Sequence, residues 1–411
     1  TKMVSFRKKK KTRLVGTTML LMKLNSKTVK PWLLLPSLAT QTRSYVNVYM
    51  KWKKDRFFDS LEHIHKSSEL KRIVSLKNVI AQNPNGCVPI SDISKRGLEF
   101  GLKIKVARFL RQYPSIFEEF VGPQFGLPWF RLTEEVIRVD GEERKVFEEC
   151  GDELALRLKK FILMSKDRVL PFKIVKGMLW YLGLPEDWLD RAMLSGIFNV
   201  VELDDGLKGL GVESEEKVWS VLQKNGIKKG VYFGEPVEPI AFPLFPSKGL
   251  RLRRKISDWL DEFQKLPYVS PYEDWLHLDT NSEVADKRVV GFLHELLCLF
   301  VDHSAQRRKL LCLKKYFGLP QKMHRAFERH PRMFYLSFRN GTCTVILKEG
   351  YRDESAVETH PMLQVRKKYV DLMLESEETL NRKRKRMRHQ IAVPRNLDME
   401  VTAGNEEADL N

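Results

Sequence analysis

The chain has 411 residues, 43% of them hydrophobic and 30% charged, with a formal net charge of +19. That is apolar material for a sizeable core and length for two or three units. Five scattered cysteines (Cys87, Cys150, Cys298, Cys312, Cys343), none in a C-x-x-C pair, exclude a disulfide framework and a zinc knuckle and fit a reducing compartment.

The charge is uneven. Residues 1–54 hold 14 Lys and Arg and no acid; taking those from the 72 basic residues leaves 58 against 53 acidic, a net of +5 for residues 55–411. A globally basic nucleic-acid binder is thereby excluded, and any such surface on the folded body has to be a local patch.

Met3, Met19 and Met22 are candidate initiators; a start at Met19 leaves residues 1–18 upstream as non-native sequence. Lys23, Lys27, Lys30 and Arg43 are spaced among hydroxyl and apolar residues, and no acid occurs before Asp55. Residues 1–44 therefore read as an organellar transit peptide, drawn across an energised membrane by its positive charge. The alternatives are a disordered basic tail and a secretory signal around Leu33, Leu34 and Leu35. That apolar stretch, broken by Pro31 and Pro36, is too short for a membrane span.

In chain order, Leu61, Ile64, Leu70, Ile73 and Val74 give helical spacing over 55–82, stopped by the Asn-Pro-Asn-Gly at 83–86. Residues 88–120 read as two or three short helices, and 129–132 as a strand. An amphipathic helix is predicted over 152–166 with Asp152 as cap, followed by a compact block at 168–193. Residues 204–236 read as short strands and loops. Helices are predicted over 251–263 and 284–303, a further block over 307–347, and a charged helix over 365–388. A basic then acidic disordered tail is expected over 376–411.

Three blocks repeat a pattern. Arg108 to Phe117 parallels Arg325 to Phe334: a basic helix, a Tyr-Pro or His-Pro stop, and a Phe that returns to the core. Gly183-Leu184-Pro185 recurs as Gly318-Leu319-Pro320, with Gly ending one helix and Pro starting the next. Strand-like segments follow, and Asn340-Gly341 supplies a hairpin turn. The fold class expected is mainly α with small β-hairpins (α+β), built of repeated helix-turn-helix, winged-helix-like units. A helical-pair scaffold in which Pro and Gly only shape turns is the alternative.

The last block gathers Lys314, Lys315, Lys322, Arg325, Arg329 and Arg332 around Tyr316, cations for phosphates beside a flat face for bases. Phe327 and Phe334 read as core. Lys105, Arg108 and Arg111, spaced by three, share a helical face in the first block. Arg251, Arg253 and Arg254 form a third cluster, and the run from Arg382 to Arg388 a flexible phosphate anchor. Taken singly, each cluster also reads as a solvated face.

No phosphate-binding loop, dinucleotide fingerprint, nucleophile elbow or H-E-x-x-H is present. His294, Cys298 and Asp302 share a helical face but sit in an apolar run that reads as packed core. No catalytic set, metal site or cofactor is expected.

The strings VYMKWKKDRFFD, FLRQYPSIFEEF with PWFRLT, LKKFILMSKDRVLP with WYLGLPEDW, KRVVGFLHELLCLFVDH and KKYFGLPQKMHRAFERHPRMFYLS, in this order, resemble the plant organelle RNA recognition domain over residues 45–375. The resemblance implies a non-enzymatic, mitochondrial RNA-binding factor that promotes group II intron splicing. Its partners would be organellar intron RNA and other splicing factors in a ribonucleoprotein. It supplies no defined contact residues, so the cations above remain readings of charge. The competing reading is an organellar winged-helix protein of duplex DNA.

Overall fold

Three times along the chain a long helix leads into a three-residue strand that runs directly into a second helix. The computed structural model describes residues 54–392, apart from 123–125, 193–195, 204–205, 214–215, 236–237, 275–277 and 352–358. The leader expected over 1–44 and the acidic end over 396–411 lie outside the described residues.

After two short helices, α1 (Arg56–Asp59) and α2 (Glu62–His65), the first unit comprises α3 (Ser67–Gln82), β1 (Cys87–Pro89), α4 (Ile90–Ser94), α5 (Val106–Leu110), β2 (Phe117–Val121) and β3 (Pro128–Leu132). Helix α6 (Glu134–Glu149) leads to the second: α7 (Gly151–Leu163), β4 (Val169–Pro171), α8 (Phe172–Leu182), α9 (Trp188–Ala192), β5 (Asn199–Glu202) and β6 (Lys208–Gly211). Two helices intervene, α10 (Val221–Lys228) and α11 (Arg254–Lys265). The third unit is α12 (Glu283–Leu299), β7 (Ser304–Gln306), α13 (Arg307–Leu313), α14 (Arg325–Arg329), β8 (Phe334–Ser337) and β9 (Thr344–Leu347), and α15 (Met362–Ala392) closes the chain.

Each unit makes a three-stranded antiparallel sheet in which the last strand lies between the first two, β1-β3-β2, β4-β6-β5 and β7-β9-β8. Helix, strand, helix, helix and hairpin in this order is a winged helix-turn-helix, the expected class. The middle residue of each first strand faces a buried residue of the central strand: Val88 opposite Phe130, Leu170 opposite Leu210, Ala305 opposite Val345. Pro89 (φ −67°) and Pro171 (φ −55°) end their strands and enter the next helix without losing an amide donor. Gly183, at φ +83°, ends α8, and a Cβ there would lie 2.5 Å from Val301. Asn340 and Gly341, both at positive φ, turn β8 into β9.

Some sequence expectations are corrected. Residues 221–228 form a helix, because Ser220 and Gln223 make a reciprocal capping box. Helix α7 starts one residue before Asp152, and its N-cap is Cys150. The run from Arg382 to Arg388 continues α15 as helix and is no flexible anchor.

One core spans the second and third units with α10 and α11; another joins the first unit to α15 and the Val136–Val139 face of α6. Every residue from Lys287 to Leu299 of α12 is buried, the mark of a central helix. Its Lys287 ammonium, pushed down to about 7 by burial, donates to the carbonyls of Gln264 (2.8 Å) and Leu266 (2.6 Å) at the end of α11. A small third cluster seats Phe58 and Ile64 of α1 and α2 on Tyr335 and Ile346 of the third sheet.

Candidate nucleic-acid interface

In a helix-turn-helix unit the third helix presents side chains outward while its other face packs on the core. In α14, Ala326 and Phe327 face the core, while Arg325 is exposed, as are Lys322 and Lys315 just before it. Of the remaining sequence-predicted residues in this block, Lys314 bonds to Gln321. Half-buried Tyr316 packs against the core, and its carbonyl accepts from the Lys166 amide (3.2 Å). Arg329 is already engaged: it donates to Asp286 at 2.8 Å and lies over Trp259, 5.3 Å from the ring centre. Arg332 is half-buried, and its carbonyl accepts from the Phe245 amide at 2.8 Å. Phe327 and Phe334 are core, as expected.

The Arg251, Arg253 and Arg254 cluster is brought beside this helix. The Phe245–Arg332 bond holds the chain just before it. Trp259 and Phe263 of α11, just after it, pack on His330 at 5.7 and 4.8 Å. All three arginines are exposed, together with Lys248 and Lys255, and among the described residues none has a carboxylate partner. Sequence spacing gives no sign of this juxtaposition, because about 75 residues separate the two stretches.

In the first unit Lys105 is the N-cap of α5 and Arg111 its C-cap; with Arg108 both are exposed. Arg111 is tied to Glu119 at 2.7 Å, and its hydrogen bonds hold that carboxyl below its ordinary range. Arg131 likewise grips Glu118 at 2.8 Å, so the acid pair at 118–119 has one basic partner across the sheet and one at the end of α5. Lys105 and Arg108 remain available. The second unit differs: α9 and its approach carry exposed Glu186, Asp187 and Asp190, the wrong sign for phosphates.

Two groups resemble chemical sites. The His294 ring lies 2.6 Å from Glu349 through Nε2 and 3.7 Å from the Cys298 sulfur through Nδ1, a triad-like order. All three are buried, and desolvation, with Glu295 and Glu349 nearby, pushes the thiol well up, the reverse of nucleophile activation. Asp302 pairs instead with Arg366 at 2.9 Å. The thiol of Cys150, the carboxylate of Glu153 and the His360 ring also converge, with ligand atoms within 4.8 Å of one another. His360 Nδ1, however, accepts from the Met362 amide at 3.1 Å, which puts the ring proton on the Nε2 that faces Glu153 (3.8 Å). Glu153 is already held by Arg157 at 2.8 Å. As a metal ligand set the group is poorly prepared.

Three winged-helix units, two of which carry unpaired cations on or before the third helix, define a nucleic-acid-binding protein. A plant organelle RNA recognition domain matches residues 53–378, and the chain belongs to that family. It is 60% identical to the mitochondrial protein WHAT'S THIS FACTOR 9 of Arabidopsis thaliana, over 88% of this chain and 95% of that one. It is 26% identical to the chloroplastic WHAT'S THIS FACTOR 1 homolog of Oryza sativa subsp. japonica (92% and 72% covered) and to chloroplastic WHAT'S THIS FACTOR 1 of Zea mays (78% and 66%). No solved structure matches. The protein is an organellar RNA-binding factor, and its 60% identical relative is mitochondrial. No helix among the described residues is long and apolar enough to cross a membrane.

Proposed function

We propose that the protein promotes group II intron splicing in plant mitochondria by binding intron RNA and holding its folded form. The intron supplies the chemistry; the protein shifts the population toward the reactive fold through its higher affinity for that fold. One observation carries the choice of surface: the stretch with exposed Arg251, Arg253 and Arg254 at the start of α11 is tied to the third unit that carries exposed Lys315, Lys322 and Arg325, through the Phe245–Arg332 bond and the packing of Trp259 on His330. Lys105 and Arg108 offer a second contact region, and other splicing factors would join through the RNA.

Duplex DNA binding is less well supported. A winged unit grips a duplex with a free hairpin tip beside its third helix. In the third unit that tip is tied down: Arg339 bonds to Glu62 (2.6 Å) and the Asp59 carbonyl (2.7 Å), and Asn340 to the His65 carbonyl (3.3 Å).

The test is recovery and sequencing of RNA bound to the tagged protein in isolated plant mitochondria, for wild type and for K315A/K322A/R325A. Intron enrichment that the triple variant loses, with unchanged thermal stability, is the expected result. Equal recovery by the variant moves the binding surface elsewhere, and absence of intron RNA from the wild-type sample refutes the splicing role.

A further inference from the structure

The three units meet around a cleft of about 1170 Å³ that none of the basic surfaces above includes. Its walls are α3 of the first unit, α8 of the second, and the β7–α13 junction and β8–β9 turn of the third. We infer that this cleft holds an unpaired segment of the bound RNA, its phosphates on the rim and its bases inside. The inference rests on the RNA-binding reading and adds a site and a substrate form to it.

The charge on the walls is the first reason. Four of the six acids there are neutralised in place, Glu62 by Arg339 (2.6 Å), Glu99 by Arg96 (2.8 Å), Glu186 by Lys71 (3.7 Å) and Glu377 by Lys66, and Glu69 and Asp187 are the other two. Four cations remain, Arg72, Lys103, Arg308 and Lys309, and among the described residues none of them has a carboxylate partner. A single strand carries one negative charge per nucleotide, so four free cations suit a run of a few nucleotides.

The uncharged groups are the second reason. Asn78 and Gln82 of α3 and Gln306 at the end of β7 line the same cleft, and no side-chain amide of theirs is bonded to protein among the described residues. Side-chain amides offer both donors and acceptors and match the edges of bases and the 2′-hydroxyl. A paired strand turns its bases inward and shows only groove edges, so amides inside a concavity reach bases only when the strand is unpaired.

Size is the third. A drug-sized ligand fills pockets of about 300–1000 Å³, so this cleft exceeds what a mononucleotide needs and admits a short run. The β8–β9 turn, pinned to α1 and α2 by Arg339 and Asn340, forms a fixed wall of it. A tip that cannot enter a duplex groove thus gains a different use.

The test is fluorescence anisotropy of the full chain with an unstructured 12-nucleotide RNA and with a hairpin of the same composition, across a salt series. Variants R308Q/K309Q and N78A/Q306A change exposed or half-exposed side chains, and melting curves check their folding. R308Q/K309Q is expected to weaken single-strand binding about tenfold and to lower the log–log salt slope by roughly 1.4, two phosphates at about 0.7 each. N78A/Q306A is expected to cost about fivefold with the slope unchanged, and ultraviolet crosslinks are expected to fall on α3 and α13. Wild-type binding of the 12-mer that both variants retain at full strength overturns the cleft and leaves the basic surfaces standing. Binding of intron RNA without binding of the 12-mer overturns it in the same way. Failure to bind any RNA removes the cleft together with the function it extends.

Discussion

Arg329 bridges to Asp286 of α12 at 2.8 Å while its guanidinium covers the Trp259 ring of α11. A side chain that sequence reading assigns to phosphate instead joins the third helix of the last unit to the two helices behind it. Arg329→Ala is therefore expected to lower stability by about 1–2 kcal/mol, the sum of a partly exposed ion pair and a cation–π contact. Arg325→Ala, one turn earlier and exposed, is expected to leave stability within about 0.5 kcal/mol and to weaken RNA binding. Urea unfolding and RNA titration of the two variants decide this, and a reversed pattern refutes the assignment.

Lys77 of α3 is buried, donates to Glu143 of α6 at 2.6 Å and also bonds to Asp140. Tyr369 of α15 donates to the same Glu143 at 3.0 Å, and burial together with Glu143 and Asp140 pushes its hydroxyl far up. Lys77→Ala leaves the buried Glu143 carboxylate without its cation, while Asp140 keeps Arg144 at 2.6 Å, with an expected cost of about 3 kcal/mol. A variant that melts within a degree or two of wild type would show that water reaches this network.

His303 and His330 are held neutral by burial, down to about 4 and about 3, with the Arg329 charge adding to the effect at His330. The unfolded chain protonates its imidazoles near 6.5, so between that pH and about 4 it binds more protons than the folded form. Stability is thus complete above about pH 6.5 and falls as the pH drops. By pH 5 each histidine has removed about 2 kcal/mol, taking about 1.4 kcal/mol per pH unit. Melting temperatures measured from pH 8 to 5 are expected to fall below pH 6.5, and a flat profile would contradict the burial.

Cys298 is buried with its thiol pushed up, whereas Cys312 is exposed. Iodoacetamide is expected to label Cys312 in the native protein and to reach Cys298 only after denaturation. Cys298→Ala should cost about 1 kcal/mol for the small void and leave RNA affinity intact. Rapid native labelling of Cys298 would reopen the question of its chemistry.

The parts of the fold that are legible in sequence are those fixed by neighbouring residues. Helical spacing, the Gly-Leu-Pro stops and the Asn340-Gly341 turn each act over a few positions and reveal the repeat. Strands β1, β4 and β7 escape a reading of sequence, since three residues are too few to show alternation. Charge marks the exposed members of the site, Lys105, Arg108, Lys315, Lys322, Arg325 and the arginines at 251, 253 and 254. It cannot show that Asp286 and Trp259 already engage Arg329, or that Glu119 holds Arg111, because those partners are set by tertiary packing.

The two ends of the described chain complete each other's units. The Asp55 amide bonds to the Tyr335 hydroxyl at 3.1 Å, 280 residues away, while Tyr369, Val370 and Met373 near the other end fill the core of the first unit. A polypeptide emerging amino terminus first from the ribosome therefore delivers a first unit whose core stays open until α15 follows. Folding has to wait for nearly the whole length, and a frameshift as late as residue 360 should cripple the unit made first.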